Sequence, residues 1–470
     1  MTTKKETPPT IIHAGNVITL PETMTKEAAI DWLARQIEED RRVVAVHEEI
    51  DTEPLDGAVA FTKAMAQMFG WTSPVPTPGF FGDNPPTMVA VETDVNETAT
   101  ITWGRFKLPG ISGYVETSAD KNRRGKRVFV IRGQVIQRDK AKVHELAELT
   151  RQLARDESIY KGKAFKVTFD GADVQGIGFL DVMGVDPQQL VLPRATQRIV
   201  DATLFAPIRY TEACRKAGVP LKRGVLLEGT YGTGKTLCAF VAARYARENG
   251  WTFIYLESVK DLSAAVTLAQ RYQPAVIFAE DIDRAISGDE RTTEMDEILN
   301  TIDGIDSKAS EVMVILTTNH IELINKAMLR PGRLDAVVSV TPPDAPAVMR
   351  LLLQYGRGLI PHNAALEAVS LKLAGQIPAV IREVVERAKL AAVASTEGAT
   401  IYTLSVDDLD VAADSMLQHL ALMQREDKRP TEAAAMLEQL GRLLLPEIKE
   451  MPKMLESMDN TLCDIDDRTS

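Results

Sequence analysis

Residues 224–236 read GVLLEGTYGTGKT, and this stretch decides the class of the fold. Gly229, Gly234, Lys235 and Thr236 fit the spacing G-x-x-x-x-G-K-[ST]. An apolar strand pattern precedes the motif, and the helical pattern LCAFVAARYARE follows it. Glycines let backbone N–H groups turn toward phosphates, and the start of a helix adds partial positive charge. The stretch therefore predicts a phosphate cradle between a strand and a helix.

The motif also assigns individual roles within the cradle. Lys235 is expected to reach the β and γ phosphates of a nucleotide, and Thr236 is expected to be a ligand of magnesium. The full set of predicted nucleotide contacts in the cradle is Gly229, Thr230, Tyr231, Gly232, Thr233, Gly234, Lys235, Thr236 and Leu237.

Strand and helix patterns alternate around the cradle from about residue 178 onward. The short apolar runs are VLLEG, FIYLE, AVIFAE, VMVILTTN and AVVSV, and helical segments separate them. This alternation predicts an α/β fold, a P-loop NTPase parallel sheet flanked by helices. A mostly helical pattern follows the sheet and predicts a helical lid, and a mixed α/β pattern precedes it.

The chain is predicted to have five segments. They are a flexible N-terminus at 1–22, an α/β domain for substrate or partner binding at 23–170, a large ATPase domain at 171–345, a helical lid at 346–424 and an amphipathic, acidic tail at 425–470. Residues 72–86, TSPVPTPGFFGDNPP, predict a loop because they are rich in proline and glycine. The tail is expected to pack on the lid, with docking on a neighbouring subunit or a partner as the alternative.

Composition narrows the class of protein. The 470 residues carry a formal net charge of −12, which disfavours nonspecific binding of nucleic acid by the protein as a whole. The three cysteines have no paired spacing, so neither a disulfide framework nor a zinc site is expected. The N-terminus lacks the apolar core of a signal peptide, and no apolar run approaches the roughly 18 residues of a membrane span. We therefore expect a cytoplasmic protein without a membrane partner.

Five motifs occur in a fixed order between about residue 179 and residue 395. They are DVMGVD, GTYGTGKT, PAVIFAEDID, EVMVILTTNH and KAMLRPGRLD, and together they resemble the AAA family of ring-forming ATPases over less than half of the chain. The resemblance implies ATP and magnesium as cofactors and hydrolysis of ATP to ADP and phosphate. It also implies a homo-oligomeric ring, by analogy a hexamer.

The resemblance extends to residues beyond the cradle. It places Asn319 at the sensor position that helps to orient the attacking water beside the γ-phosphate. It places Arg330 and Arg333 at the two arginine-finger positions, which reach into the ATP site of a neighbouring subunit. Backbone groups of Val182 and Met183 are expected to contact the adenine, although Met183 stands where the family usually has glycine.

The acids in VIFAEDIDRA, residues 276–285, are in reversed order relative to this family. Glu280 stands where the family has the aspartate that holds magnesium, usually through a coordinated water. Asp281 stands where the family has the catalytic acid that polarises the attacking water. Because Lys235 and the other predicted site residues are all present, we interpret the order as an exchange of roles in an active ATPase. Asp283 is expected to stabilise the following turn, with participation in the site as a third acid as the alternative.

The interval that usually carries a pore loop is unusual here. Residues 257–273 contain no glycine, and Tyr272 is their only aromatic residue. The aromatic grip of threading ATPases is therefore missing. Val259 and Lys260 are candidates to face a pore, and the start of a plain helix is the competing interpretation.

Two classes of function remain open, beside a third possibility, a regulatory ring that uses ATP as an assembly switch. The first is a machine that couples ATP hydrolysis to the remodelling or translocation of a protein or complex. The alternative is a motor or assembly factor linked to nucleic acid, because KNRRGKR at 121–127 has five cations in seven residues. That segment has no interleaved aromatic residue for base stacking, so a solvated hairpin turn is the simpler interpretation.

Overall fold

The computed structural model describes residues 12–14, 17–19, 24–80, 82–123, 125–285, 310–324, 334–395 and 403–427. The chain divides into two compact units, Met1–Pro343 and Asp344–Ser470. Among the helices of the described ranges, none combines the length and the apolar character that a bilayer crossing needs.

The first unit contains all the strands of the described residues. In chain order they are β1 Ile12–Ala14, β2 Val17–Thr19, β3 Val43–Ile50, β4 Ser73–Val75, β5 Thr77–Gly79, β6 Gly82–Asn84, β7 Thr87–Asp94, β8 Glu97–Trp103, β9 Arg105–Lys107, β10 Gly113–Lys121, β11 Arg127–Ile136, β12 Ala164–Asp170, β13 Asp173–Phe179, β14 Arg223–Glu228, β15 Thr252–Leu256, β16 Ala275–Ala279, β17 Val312–Thr318 and β18 Ala336–Ser339.

The helices occur in both units. Those of the first unit are α1 Lys26–Arg41, α2 Pro54–Phe69, α3 Lys140–Asp156, α4 Arg194–Val200, α5 Ala206–Arg209, α6 Thr211–Lys216, α7 Lys235–Glu248, α8 Leu262–Ala269 and α9 Ile282–Ala285. Those of the second unit are α10 Ala345–Gly356, α11 Glu367–Leu373, α12 Pro378–Ser395 and α13 Val406–Asp427.

A seven-stranded sheet forms the centre of the first unit. Its strand order is β13-β12-β15-β16-β17-β14-β18, and every neighbouring pair is parallel except β12 with β13. All residues of β16 and β17 are buried, as expected for central strands covered on both faces. The predicted α/β class with a parallel sheet flanked by helices is confirmed.

The predicted boundary at 170/171 falls between two strands of this sheet. β12 pairs in parallel with β15, and β13 continues the sheet on the other side of β12. The sheet therefore includes a strand that the sequence analysis assigned to the N-terminal domain. The apolar pattern of a strand is the same whichever domain's sheet it joins, so periodicity alone could not place β12.

A second, five-stranded sheet lies N-terminal to the first. Its order is β3-β11-β10-β9-β4, and α2 and α3 pack beside it. We call residues 26–156, which contain this sheet and its helices, the N-terminal layer. Residues 72–86 were predicted to be a loop, but the described part contains the short strands β4, β5 and β6. Strands of three residues leave too little sequence for an alternating pattern to emerge.

One continuous apolar core joins the N-terminal layer to the seven-stranded sheet. It includes Phe61 and Phe129 from the layer and Ile277 from β16. Tyr160 lies at the junction, with its ring centroid 5.7 Å from that of Tyr272. Alternate residues of β16, such as Phe278, face a second core on the opposite side of the sheet.

A buried carboxylate crosslinks the two parts of this core. Asp56 in α2 is 1% exposed, and its oxygens accept hydrogen bonds from Thr52 Oγ1 and Ser158 Oγ, both at 2.8 Å, and from the Ile159 N–H at 3.0 Å. The Tyr272 hydroxyl also points to it, at 3.4 Å. Burial raises the pKa of Asp56, against the lowering effect of these donors.

Ion pairs reinforce the same junction. Arg271 donates to the carboxylates of Glu53, at 2.7 Å, and Asp51. Burial raises the pKa of Glu53, and the charge of Arg271 opposes that effect. At a second point, Asp94 accepts hydrogen bonds from Arg247 and Lys163. Partial burial would raise the pKa of Asp94, but these two cations hold it at about 2.

We predict that Asp56→Ala lowers the free energy of unfolding by about 3 kcal/mol, because several buried donors lose their acceptor. Urea denaturation followed by circular dichroism measures this. Lys63→Ala is the matched control, since it breaks an exposed pair with Glu157 and should cost less than about 0.5 kcal/mol. Equal effects of the two substitutions would contradict a crosslinking role for Asp56.

Candidate active site

Three parallel strands bring the candidate site together at one edge of the central sheet. Glu228 of β14 lies opposite Thr318 of β17, and Ala279 of β16 lies opposite Leu316. The residues that follow each strand therefore emerge side by side. The chain leaves β14 for β15 and returns through β16 to β17, so the strand order reverses at this point. Ligands of open α/β sheets bind at such a position, outside the carboxyl ends of the strands.

The cradle is the loop between β14 and α7. Gly229 has a φ of 149°, and a Cβ there would lie 2.3 Å from the carbonyl oxygen of Val340. Gly232 and Gly234 have φ angles of 78° and 108°, in the region that favours glycine. The glycines of the motif are therefore required by the path of the backbone.

Lys235 occupies the centre of the cradle. Its ammonium group donates to the carbonyls of Gly229, at 2.7 Å, and Thr230, at 2.9 Å, and to Oδ1 of Asn319, at 2.8 Å. Burial lowers its pKa, and the nearby carboxylate of Asp281 opposes that shift. Phosphate oxygens could replace these carbonyl acceptors as partners of the ammonium group.

The first acid, Glu280, faces the start of α7. Its Oε1 accepts a hydrogen bond from Thr236 Oγ1 at 2.5 Å, and its Oε2 accepts one from the Tyr255 hydroxyl at 3.1 Å. Thr236 and Glu280 are therefore adjacent hard oxygen donors, which magnesium prefers. No cluster of three or more His, Cys, Asp or Glu suited to a metal occurs in the described ranges. Such a pair fits a magnesium ion that keeps waters and phosphate oxygens as its other ligands.

The second acid, Asp281, faces the other side of the site. Its backbone has a φ of 47°, a conformation that aspartate tolerates better than most residues. Its N–H donates to Thr317 Oγ1 at 2.9 Å, and its Oδ1 accepts a hydrogen bond from Asn319 Nδ2 at 2.8 Å. Asp281, Asn319 and Lys235 thus form one hydrogen-bonded chain.

Asp283 supports the end of β17. It is 4% exposed, and its Oδ1 accepts hydrogen bonds from Thr318 Oγ1 at 2.8 Å and from the Asn319 N–H at 3.1 Å. These contacts fix the backbone from which the Asn319 side chain projects. Asp283 thus stabilises the end of β17 and the start of the segment after it.

The segment predicted to contact adenine lies beside α7. Val182 is fully buried, while Met183 is 47% exposed. The Met183 N–H donates to Oδ1 of Asp181 at 3.2 Å, and Arg244 of α7 donates to the Val185 carbonyl at 2.7 Å. The Val182 carbonyl accepts a hydrogen bond from the Val185 N–H at 3.2 Å, and contact of Val182 and Met183 with a base stays a prediction.

The remaining predicted residues of the cradle have different environments. Thr233 is 2% exposed and donates to the Thr230 carbonyl at 2.9 Å, so its hydroxyl shapes the loop. Tyr231 is 56% exposed at the tip, and Leu237 packs against the second core. The predicted arginine fingers, Arg330 and Arg333, lie outside the described residues.

Sequence reasoning missed the three hydroxyl groups that surround the acids, on Tyr255, Thr317 and Thr318. The two threonines directly precede Asn319, and a polar pair at the end of a buried strand is a usable signal. Tyr255 lies opposite Phe278 in the neighbouring strand, two residues before Glu280. The contact of Tyr255 with Glu280 follows from the pairing of β15 with β16, and the sequence alone does not give that strand order.

Comparison with known families identifies the central part of the chain. The sequence model of the ATPase family associated with various cellular activities (AAA) matches residues 225–342. This range includes the cradle, both acids and Asn319, together with the predicted arginine fingers.

Several curated proteins are similar over a comparable length. "Protein SAV" of Sulfolobus acidocaldarius is 30% identical over 47% of this chain and 30% of its own length. The "Cell division cycle protein 48 homolog" of Archaeoglobus fulgidus is 32% identical over 43% of this chain and 30% of its own length. The "26S proteasome regulatory subunit 8 homolog" of Schizosaccharomyces pombe is 29% identical over 38% of this chain and 49% of its own length. The chain therefore spans between about a third and a half of these relatives.

We predict that Gly229→Ala lowers the free energy of unfolding by about 2–3 kcal/mol, because the added Cβ clashes with the Val340 carbonyl and φ is unfavourable. Gly178→Ala is the control, since a Cβ there has no atom within 4 Å. Urea denaturation compares the two proteins. An unchanged stability of Gly229→Ala would mean that the loop is not held against Val340 as described.

Proposed function

This chain contains an ATPase domain of the AAA family, and on that premise we propose that it works as a homo-oligomeric ring coupling ATP hydrolysis to the remodelling or translocation of a protein or complex. A cytoplasmic location belongs to the same proposal. The activity of the whole protein does not follow from the relatives alone, because the chain covers only part of their length.

The separation of the two acids supports an active ATPase. Glu280 is hydrogen-bonded to Thr236, the expected magnesium ligand. Asp281 is hydrogen-bonded to Asn319, which in turn contacts the phosphate-binding Lys235. The Glu280 carboxylate is therefore next to the expected magnesium ligand. The Asp281 carboxylate is next to the side chain that is expected to orient the attacking water. This arrangement favours an exchange of roles over a degenerate site.

Each polar group then has one role in hydrolysis. Lys235 would bind phosphate oxygens, and Thr236 with Glu280 would hold magnesium, which would supply positive charge to neutralise the phosphates. Asp281 accepts a hydrogen bond from the attacking water and so orients it. Asn319 holds the Asp281 carboxylate in place through the hydrogen bond from its Nδ2 to Asp281 Oδ1 at 2.8 Å. Proton transfer from that water ends on Asp281 or on the released phosphate.

We predict that Asp281→Asn binds ATP with unchanged affinity but hydrolyses it about a hundredfold or more slowly, because the amide cannot accept the proton of the attacking water. A fluorescent ATP analogue measures binding, and steady-state phosphate release measures turnover.

Glu257→Gln is the matched control, because it removes a charge beside the same sheet edge from an exposed ion pair with Lys166. It should keep the turnover of the unaltered protein. Unchanged hydrolysis in Asp281→Asn would refute the assignment of the catalytic acid.

Ring formation is proposed from the two arginines. Arginine stays protonated and offers a planar set of donors to phosphate oxygens. If Arg330 and Arg333 act across an interface, each active site combines one protomer's acids with its neighbour's arginines.

A mixing experiment tests this arrangement. Asp281→Asn and Arg333→Ala should each be nearly inactive, whereas an equimolar mixture should recover up to about a quarter of the normal rate. That fraction follows because neighbouring protomers combine at random, and one pairing in four joins an intact site to an intact arginine. Phosphate release by pre-mixed, reassembled protein is the measurement.

Mixing Asp281→Asn with Lys235→Ala gives the control, since both substitutions damage the same side of the interface. This mixture should recover nothing. No recovery in the first mixture, under conditions where mass spectrometry detects mixed assemblies, would argue against arginines acting between subunits.

The surface of the chain favours a protein substrate engaged outside an aromatic pore loop. Tyr272 is 2% exposed and Val259 is 3% exposed, and such burial does not favour either side chain as a pore contact. Val259 begins a short 3-10 helix that leads into α8. This local structure agrees with the competing interpretation of the segment as the start of a plain helix. The N-terminal layer, in contrast, exposes Trp71 by 67% and Phe80 by 97%. Exposed apolar groups of this size suit contact with protein.

The contacts of the described residues around 121–127 do not favour the nucleic-acid alternative. Within 121–127, the Lys121 ammonium pairs with Asp173 at 2.7 Å, and the Arg127 backbone N–H donates to the same carboxylate at 3.2 Å. The cationic hairpin is thus partly neutralised by its own neighbour, which agrees with a solvated turn.

A further inference from the structure

Tyr255 joins the active site from a strand that carries no recognised motif. It lies in β15, and its hydroxyl donates to Oε2 of Glu280 at 3.1 Å. Thr236 donates to the other oxygen, Oε1, of the same carboxylate. The Glu280 carboxylate is therefore held at both oxygens by groups from two different elements.

The ring of Tyr255 is itself fixed. It stacks on Phe240 of α7 with a centroid distance of 6.2 Å and contacts Phe278 of β16 at 5.5 Å. α7 also carries Thr236, and β16 leads directly to Glu280. The hydroxyl is thus positioned by the same two elements that it connects. Such a preorganised donor loses little conformational entropy when it forms its hydrogen bond.

A glutamate has a particular need for such a donor. Its side chain has one more rotatable bond than aspartate and reaches about 1.5 Å further. Left with one contact, the carboxylate could rotate away from Thr236. A second hydrogen bond to Oε2 removes that freedom.

We propose that Tyr255 is a positioning residue that holds the longer carboxylate of Glu280 against Thr236, so that the reversed Glu-Asp order still provides a magnesium site. This inference rests on the proposed ATPase function. It adds that the acid and the tyrosine work as a pair, so that the hydroxyl matters for glutamate and not for aspartate at position 280.

A double-mutant cycle on nucleotide binding tests the pair without requiring turnover. The affinity for a fluorescent ATP analogue is measured with magnesium and with EDTA in Tyr255→Phe, Glu280→Asp and the double variant. Tyr255→Phe keeps the ring and removes only the hydroxyl. In Tyr255→Phe, the gain in affinity that magnesium gives over EDTA should be about tenfold smaller than in the unaltered protein. The affinity in EDTA should be unchanged. In the Glu280→Asp background, the same change should alter that gain by less than about twofold.

Tyr245→Phe is the matched control. Tyr245 lies on α7, its ring packs against Phe205, and its hydroxyl makes no hydrogen bond to the described residues. It should leave both affinities unchanged, and a loss equal to that of Tyr255→Phe would overturn the inference.

The other outcomes separate the inference from the function on which it rests. Absence of nucleotide binding by the unaltered protein would defeat both. Normal binding with an identical magnesium response in Tyr255→Phe would overturn only the positioning role. An equal loss in the Glu280 and Glu280→Asp backgrounds would overturn the pairing, because the hydroxyl would then act independently of the carboxylate.

Discussion

The parallel pairing of β17 with both β14 and β16 is the constraint on which the site depends. It places Gly229, Glu280 and Asn319 next to one another although they are far apart in sequence. Burial of β16 and β17 on both faces prevents a shift in register, since one residue of slip would exchange the two cores. The hydrogen bonds among the polar groups therefore refine an arrangement that the apolar strands already impose.

Much of this arrangement could be predicted from local sequence. The cradle and the alternating strands are local patterns, since glycine spacing and apolar periodicity need no knowledge of the partner strand. The assignment of Glu280 and Asp281 to separate sides was also within reach, because the acids follow a strand without a gap. The structure adds what links them: Thr236 on one side and Asn319 on the other.

Other features depended on contacts distant in sequence. Asp56 lies in a helix with no motif, and three of its four donors, Ser158, Ile159 and Tyr272, are more than a hundred residues away. No single-sequence pattern distinguishes a buried acid of this kind from a solvated one. The same holds for β12, whose membership of the central sheet is decided by its pairing with β15.

The junction around Asp56 has a mechanical consequence. Arg271 and Tyr272, which contact the N-terminal layer, precede β16, and the acids of the site follow it. One buried strand therefore has the junction at its start and the candidate site at its end. With a shared apolar core around them, the N-terminal layer and the central sheet belong to one compact unit. A displacement of the N-terminal layer would accordingly be transmitted to the strand that carries the two acids.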